Sequence, residues 1–227
     1  DATNFVLFEY GQPTHVFDIA KLRGKEIHIR RAQSGETMLP IGEGASPIKL
    51  HEDDLVIADT ERPVALAGVK GGAETAVDEQ TVDILLEAAA FDPVTVRTAS
   101  RRHQIASDSS YRFERGVHPA DVDHAAERLA SLIIELAGGE LSEGVCRDGK
   151  AIPEPIGVSI RPDRCRALLG IDISDQRIED LLSRLELSPQ SRGDLFECTI
   201  PPRRLDLHRE VDLIEEVGRT HGYEHLP

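Results

Sequence analysis

Cysteine is scarce and poorly placed for bridging: Cys146, Cys165 and Cys198 are an odd number, widely spaced, with no C-x-x-C pair. That pattern argues against a disulfide framework and a zinc site, and it fits a reducing cytoplasm. No apolar run approaches the ~20 residues needed to cross a bilayer, so no membrane span is expected. Lysine is missing from residues 151–227, where ten Arg face fifteen acids for a net −5, leaving about −10 of the total −15 on the first 150 residues. Neither half is a basic sleeve, so contact with a polyanion is expected only at a small local site. Asp1-Ala2-Thr3-Asn4 carries no initiator Met, basic stretch or apolar run, so nothing suggests secretion, and the chain is expected to be cut from a longer one. Internal repeats and low-complexity segments are absent as well.

What is there describes an ordinary soluble protein of 227 residues, 40% apolar and 30% charged, long enough for one or two cores. Asp1 or Thr3 can cap a helix through Tyr10 that Gly11 stops. Glu26–Arg31, Leu55–Ala58, Val64–Val69 and Val82–Phe91 read as short strands separated by Gly, Pro, Asp and Ser. Asp92-Pro93 opens a helix to about Arg102. Pro119–Leu136 opens another, with Ala125, Leu129, Leu132, Ile133 and Leu136 on one buried face before Gly138-Gly139. A linker-like stretch at Gly149–Pro155 divides the chain into 1–150 and 151–227. The second part predicts a strand at Ile156–Ile160, helices at Pro162–Leu169 and Ser174–Leu185, a hairpin through Leu187–Pro189 and Phe196–Ile200, and a last helix over Leu207–His221. The fold class is therefore α+β: a mixed or antiparallel sheet covered by helices, then a small α+β domain with the outline of a winged helix-turn-helix.

Several residues stand out chemically. Glu87 sits inside the apolar run Ile84–Phe91; buried and unpaired it would be costly, so it serves a partner, pairs with an Arg, or faces solvent. His15, after Gln12-Pro13, is a titratable candidate that could equally pack or cap a turn. Gly68-Val69-Lys70-Gly71-Gly72 lacks the spacing and the Lys-Ser/Thr ending of a Walker loop and reads as a hairpin turn. Ser107-Asp108-Ser109-Ser110-Tyr111-Arg112-Phe113-Glu114-Arg115-Gly116-Val117 packs charges and aromatics into a turn-like segment. Its Arg112, Glu114 and Arg115 are expected to satisfy one another. Arg101-Arg102 could meet phosphate or simply end a solvated helix. Asp212, Glu215 and Glu216 share one helix face just after Asp206. Hard oxygen donors without His or Cys suit Mg²⁺, and the competing reading is an acidic helix start offset by the helix dipole and by Arg204, Arg209 and Arg219.

Three motifs occur in order: Gly11-Gln12-Pro13-Thr14-His15-Val16-Phe17-Asp18, the Ser107–Val117 stretch, and Pro202-Arg203-Arg204-Leu205-Asp206 followed by Asp212–Val217. Together they resemble the beta subunit of bacterial phenylalanyl-tRNA synthetase over essentially the whole chain. The resemblance implies an editing domain of the B-three/B-four type at 1–150 and a B-five domain at 151–227. It implies that Glu87 recognises the para-hydroxyl of tyrosine, that Gly71 forms a pocket wall, and that His15, Ser107 and Ser109 position the ester and water. Many relatives are expected to carry Thr and Ala where this chain has Ser107 and Ser109. Arg101 and Arg102 become candidates for substrate phosphate. Asp206, Asp212, Glu215 and Glu216 become a Mg²⁺ site shared with the alpha subunit. Partners implied are that subunit, in a heterotetramer of two alpha and two beta, and the acceptor end of the tRNA. ATP is expected only in the full enzyme, in the cytoplasm. The rival readings are a nucleic-acid-binding module built on the helix-turn-helix outline and a purely structural bridge.

Overall fold

A computed structural model describes residues 1–227. The chain folds as two compact units, Asp1–Lys150 and Ala151–Pro227.

The first unit opens with α1 (Ala2–Tyr10), capped by the Asp1 carboxylate on the Asn4 N–H and ended by Gly11 in the left-handed region at φ 71°. Strand β1 (Thr14–Asp18) follows. It pairs antiparallel with β8 (Ile84–Ala88), about seventy residues downstream, in the register His15 opposite Glu87 and Phe17 opposite Leu85. Between them lie β2 (His28–Arg31), β3 (Thr37–Met38), β4 (Ile48–Lys49), β5 (Leu55–Ala58), β6 (Pro63–Leu66) and β7 (Lys70–Gly71). They form a four-stranded antiparallel sheet in the order β2-β5-β6-β7 and a small β3-β4 ribbon. Helices α2 (Pro93–His103), α3 (Asp108–Phe113) and α4 (Val122–Ala137) complete the unit.

Side-chain alternation along the strands sets the layers. On the β1–β8 ribbon, Val16 and Leu86 pack against Val6 of α1 and Ala125, Leu129 and Leu132 of α4. The opposite face turns Phe17 and Leu85 toward Ile57, Val64, Ala65 and Ala67 of the central sheet. Val56, Ala58 and Leu66 of that sheet look the other way, onto Val96 and Ala99 of α2 and Phe113 of α3. The sheet is thus buried on both faces, and the ribbon is clamped between it and a helix pair. At ~25 cal/mol per Å² of apolar surface removed from water, these layers are the main stabilising term.

In the second unit, β9 (Ile156–Ile160), α5 (Pro162–Leu169), α6 (Asp175–Arg184), β10 (Gln190–Arg192), β11 (Leu195–Ile200) and α7 (Glu210–His221) follow in order. The sheet is antiparallel, β10-β11-β9. Ile160, Ile178, Leu181, Leu182, Leu187, Leu213, Ile214 and Val217 form its core. The α+β class and the strand, helix pair, hairpin outline hold here.

Some boundaries move. The first hairpin strand lies at β10, not at Leu187–Pro189, because Leu187 is fully buried in the core and Ser188 takes a left-handed φ of 45°. The last helix starts at Glu210 rather than Leu207, since the Asp212 carboxylate caps the backbone N–H of His208 and Arg209. Ser107–Val117 is not a turn: it contains α3, with Ser110 and Phe113 buried on one face. Leu136, expected on the buried face of α4, is 75% exposed near the end of that helix. No helix is long and apolar enough to cross a membrane.

Candidate active site

The ribbon's inner face continues past Phe17 and Leu85 to His15 and Glu87, two residues along each strand and directly opposite one another. They line an open cleft of about 60 Å³ together with Gly68, Lys70, Gly71, Phe91, Ser109 and Phe113. That lining suits a small ligand group held by apolar walls and a few polar atoms.

Each polar group in the cleft has a distinct electrostatic state. Burial lowers the His15 pKa to about 4, and its Nε2 is buried without a hydrogen-bond partner. The ring sits edge-on to Phe17 at 4.5 Å between centroids, which fixes its plane. Burial raises the Glu87 pKa to about 7, with no compensating cation or hydrogen bond. Near neutrality His15 is therefore an uncharged imidazole, and Glu87 is poised between acid and carboxylate.

Glycine at position 71 is enforced by contact rather than by backbone angle. A Cβ there would stand 2.7 Å from His15 Nε2 and 3.0 Å from Ile41 Cδ1, so the imidazole packs directly on the glycine and a side chain would displace it. The strand is pinned by Ile41 N–H donating to the Gly71 carbonyl at 2.9 Å and Gly72 N–H donating to the Val64 carbonyl at 2.8 Å. Gly68, by contrast, is required by its φ of +70° and by Phe91 and Phe113, which would crowd a side chain. Those two rings meet edge to face at 5.1 Å and form an aromatic wall.

Ser107 and Ser109, expected together, are separated in role. Ser107 caps α3: its Oγ accepts from the Ser110 N–H at 3.0 Å and donates to the Val69 carbonyl at 2.7 Å. Its hydroxyl is occupied, so the expectation that it acts on ester or water is corrected to a positioning role that ties α3 to the Lys70-Gly71 strand. Ser109 lines the cleft, and its hydroxyl makes no hydrogen bond within the chain.

Arg102 is also corrected. It pairs with the fully buried Asp54, which in addition accepts from His103 Nε2 at 2.6 Å and from the His51 N–H at 2.8 Å. Burial alone would raise the Asp54 pKa; those hydrogen bonds and the charges of His103 and Arg102 outweigh it and hold the carboxyl below its usual range. The guanidinium therefore locks α2 to the start of β5 rather than waiting for phosphate. Arg101 remains exposed and unpaired. Arg112 and Arg115 are held locally, Arg112 on the Asp108 carbonyl and over the Phe8 ring, Arg115 on Glu114 and over Tyr111.

The four carboxylates expected to bind Mg²⁺ do not fit the ion. Arg204 holds Asp206 through two hydrogen bonds of 2.9 and 2.7 Å and reaches Glu216 at 2.9 Å. Arg219 takes Glu216 from the other side at 3.1 and 2.7 Å. Asp212 spends its oxygens on the helix start, and Glu215 points to solvent. With Glu216 only 7% exposed, this is an ion-pair network, and the chain holds no group of three or more His, Cys, Asp or Glu side chains arranged for a metal.

Sequence reasoning passed over Gln12, Phe91 and Phe113. Gln12 is buried and its amide donates to the Pro13 and Ala89 carbonyls at 3.0 and 2.8 Å, joining the entry of β1 to the exit of β8. Its place in the Gln12-Pro13 motif was the available signal.

With this geometry in view, comparison with known proteins becomes specific: residues 1–138 match the B3/4 domain. The chain belongs to the B3/4 domain family. Residues 158–223 match the tRNA synthetase B5 domain. Over the whole chain it is 43% identical to the phenylalanine–tRNA ligase beta subunit of Neisseria meningitidis serogroup B and 45% identical to that of Halalkalibacterium halodurans. It is 42% identical over 99% of its length to the one of Thermotoga maritima. In each case it spans 28% of the relative's length, so this B3/4–B5 chain corresponds to a portion of those subunits. An N-terminal fragment of the phenylalanyl-tRNA synthetase beta subunit from Pyrococcus horikoshii aligns with 97% of the chain and 64% of its own at 14% identity and a TM-score of 0.47.

Proposed function

We propose that the chain is the editing portion of a phenylalanine–tRNA ligase beta subunit, and that its cleft hydrolyses the tyrosyl ester of mischarged tRNA. The observation that carries this is the pairing of Glu87 with His15 on one face of the ribbon, one carboxyl with a pKa near 7 and one neutral imidazole in the same apolar-walled cleft.

A tyrosine ring lying against the wall formed by Phe91 and Phe113 brings its phenol to Glu87, which accepts a hydrogen bond from the hydroxyl as carboxylate or donates one to it as acid. Phenylalanine offers nothing there and leaves the carboxyl without a partner. A site built to hydrogen-bond a hydroxyl rejects the analogue lacking it by ~10⁴ or more, whereas an apolar pocket rejects an added hydroxyl by only about a hundredfold. The cleft therefore supplies the discrimination that an apolar aminoacylation site lacks. His15 orients the ester or the attacking water through its unpartnered Nε2; with a pKa near 4 it is a weak base, so its contribution is placement of the water. Ser109 and Thr14 offer hydroxyls without a partner in the cleft, and Gly71 lets the His15 ring pack close against β7. The cleft fits no ATP chemistry in this reading, and the B5 unit contributes a rigid ion-paired surface toward an alpha subunit.

Release of tyrosine from preformed Tyr-tRNA by the full alpha–beta ligase tests this, with Glu87→Ala beside the parent and Phe-tRNA as control. Loss of the preference for Tyr-tRNA in the variant supports the assignment. Identical behaviour of the two enzymes removes it and favours a structural module.

A further inference from the structure

The chain carries fifteen more acids than bases, and its lysines and arginines are accordingly consumed: every other half-buried one has an acid partner within reach. The cations left without one, Lys25, Arg31, Lys49, Arg97, Arg101, Lys150, Arg177 and Arg184, are all exposed and lose nothing by facing water. Lys70 is the exception. It is half-buried, it lines the cleft, and its ammonium makes neither an ion pair nor a hydrogen bond within the chain. A cation that lines a cleft without a counter-charge is open to an anionic ligand.

We propose that Lys70 is the anion contact of the cleft, receiving the phosphate of the nucleotide that carries the ester. This rests on the editing assignment above and adds what that assignment lacks, a reason why the ligand is a nucleotide ester and not a free amino acid. Lys70 adjoins Gly71 on β7 and stands across from Leu66, on the face of the strand opposite His15, and it lines the cleft together with Ser109 and Phe113. Its strand is fixed by the Ser107 hydroxyl on the Val69 carbonyl, so the stem starts from a rigid base. Of the other titratable groups lining the cleft, His15 is neutral, and Glu87, with its pKa raised to about 7, is only partly ionised at neutral pH. Inside a strongly acidic chain, the cleft is the place where a phosphate meets one cation and little repulsion.

The test uses two non-hydrolysable ligands, 3′-tyrosylamino-3′-deoxyadenosine and its 5′-monophosphate, bound to the full ligase carrying Lys70, Lys70→Gln or Lys70→Arg. The parent is expected to bind the phosphorylated ligand about tenfold more tightly, a charge-assisted contact. Lys70→Gln is expected to erase that preference and leave the affinity for the unphosphorylated ligand unchanged, and Lys70→Arg to keep it. Plots of log affinity against log salt for the phosphorylated ligand should become shallower by about 0.7 in Lys70→Gln, the signature of one lost phosphate contact. Equal affinity of the parent for both ligands, or a preference that survives in Lys70→Gln, overturns the Lys70 assignment while the editing assignment stands. Failure of either ligand to bind the parent overturns both.

Discussion

Replacing Ser107 separates a hydroxyl that acts on substrate from one that builds the cleft. Its oxygen accepts from the Ser110 N–H and donates to the Val69 carbonyl, and alanine removes both bonds at once. Loss of an N-cap to alanine costs ~1 kcal/mol. The Val69 carbonyl, left without its donor, adds ~1 kcal/mol. For a unit spanning Asp1–Lys150, about 2 kcal/mol corresponds to a fall of roughly 4–8 °C in Tm. Asparagine can replace both functions, its carboxamide oxygen capping the helix and its amide donating to Val69. Calorimetry should therefore show Ser107→Ala melting lower by that amount and Ser107→Asn close to the parent. Tyrosine release should follow stability, lost in Ser107→Ala as the Lys70-Gly71 strand loosens and recovered in Ser107→Asn. An asparagine variant with full Tm and no hydrolysis would refute the positioning argument and return the hydroxyl to the chemistry.

Gly71→Ala should cost about 1–3 kcal/mol of stability and lower tyrosine release at least a hundredfold, because the new methyl group displaces the His15 ring; unchanged release would show that the place of His15 does not matter to hydrolysis. The Glu87 carboxyl has a folded pKa raised from 4.5 to about 7, so its contribution is fully present below pH ~4.5 and is lost as pH rises to ~7. Glu87→Gln should accordingly be more stable than the parent at pH 8, by up to ~3 kcal/mol, and no more stable at pH 4.5, as read by denaturant titration. A gain of equal size at both pH values would contradict the burial of that carboxyl. Asp54→Ala should cost ~3–5 kcal/mol, since Arg102 and His103 lose their buried acceptor. With its pKa held below the usual range, the Asp54 contribution is present above pH ~4 and disappears as pH falls through the lowered value, so parent and variant should converge in acid.

Much of the helical framework is legible locally: Asp1 and Gly11, Asp92 before Pro93, Ser174 and Gly170 are caps and stops that act within a few residues. Strand β1 is harder to read because its partner lies about seventy residues away and the five residues Thr14–Asp18 alternate too briefly to announce it. That pairing is what brings His15 to Glu87. Helix α3 is masked because its buried face consists of Ser110 and Phe113 alone, amid charges that face solvent. Asp54 hides within Glu52-Asp53-Asp54, where three successive acids suggest a solvated turn although the third is fully buried. The carboxylates of α7 mislead in the opposite direction: i, i+3, i+4 spacing puts them on one face, but it says nothing of Arg204 reaching back from outside the helix to neutralise Glu216 together with Asp206.

The central claim is that Glu87 reads the tyrosine hydroxyl inside this cleft. A crystal structure of the full ligase with 3′-tyrosylamino-3′-deoxyadenosine tests it most directly. The account predicts the ring against the wall formed by Phe91 and Phe113, with the phenol oxygen about 2.5–3.0 Å from a Glu87 carboxyl oxygen. A ligand bound outside the cleft, or one whose phenol points away from Glu87, would contradict it.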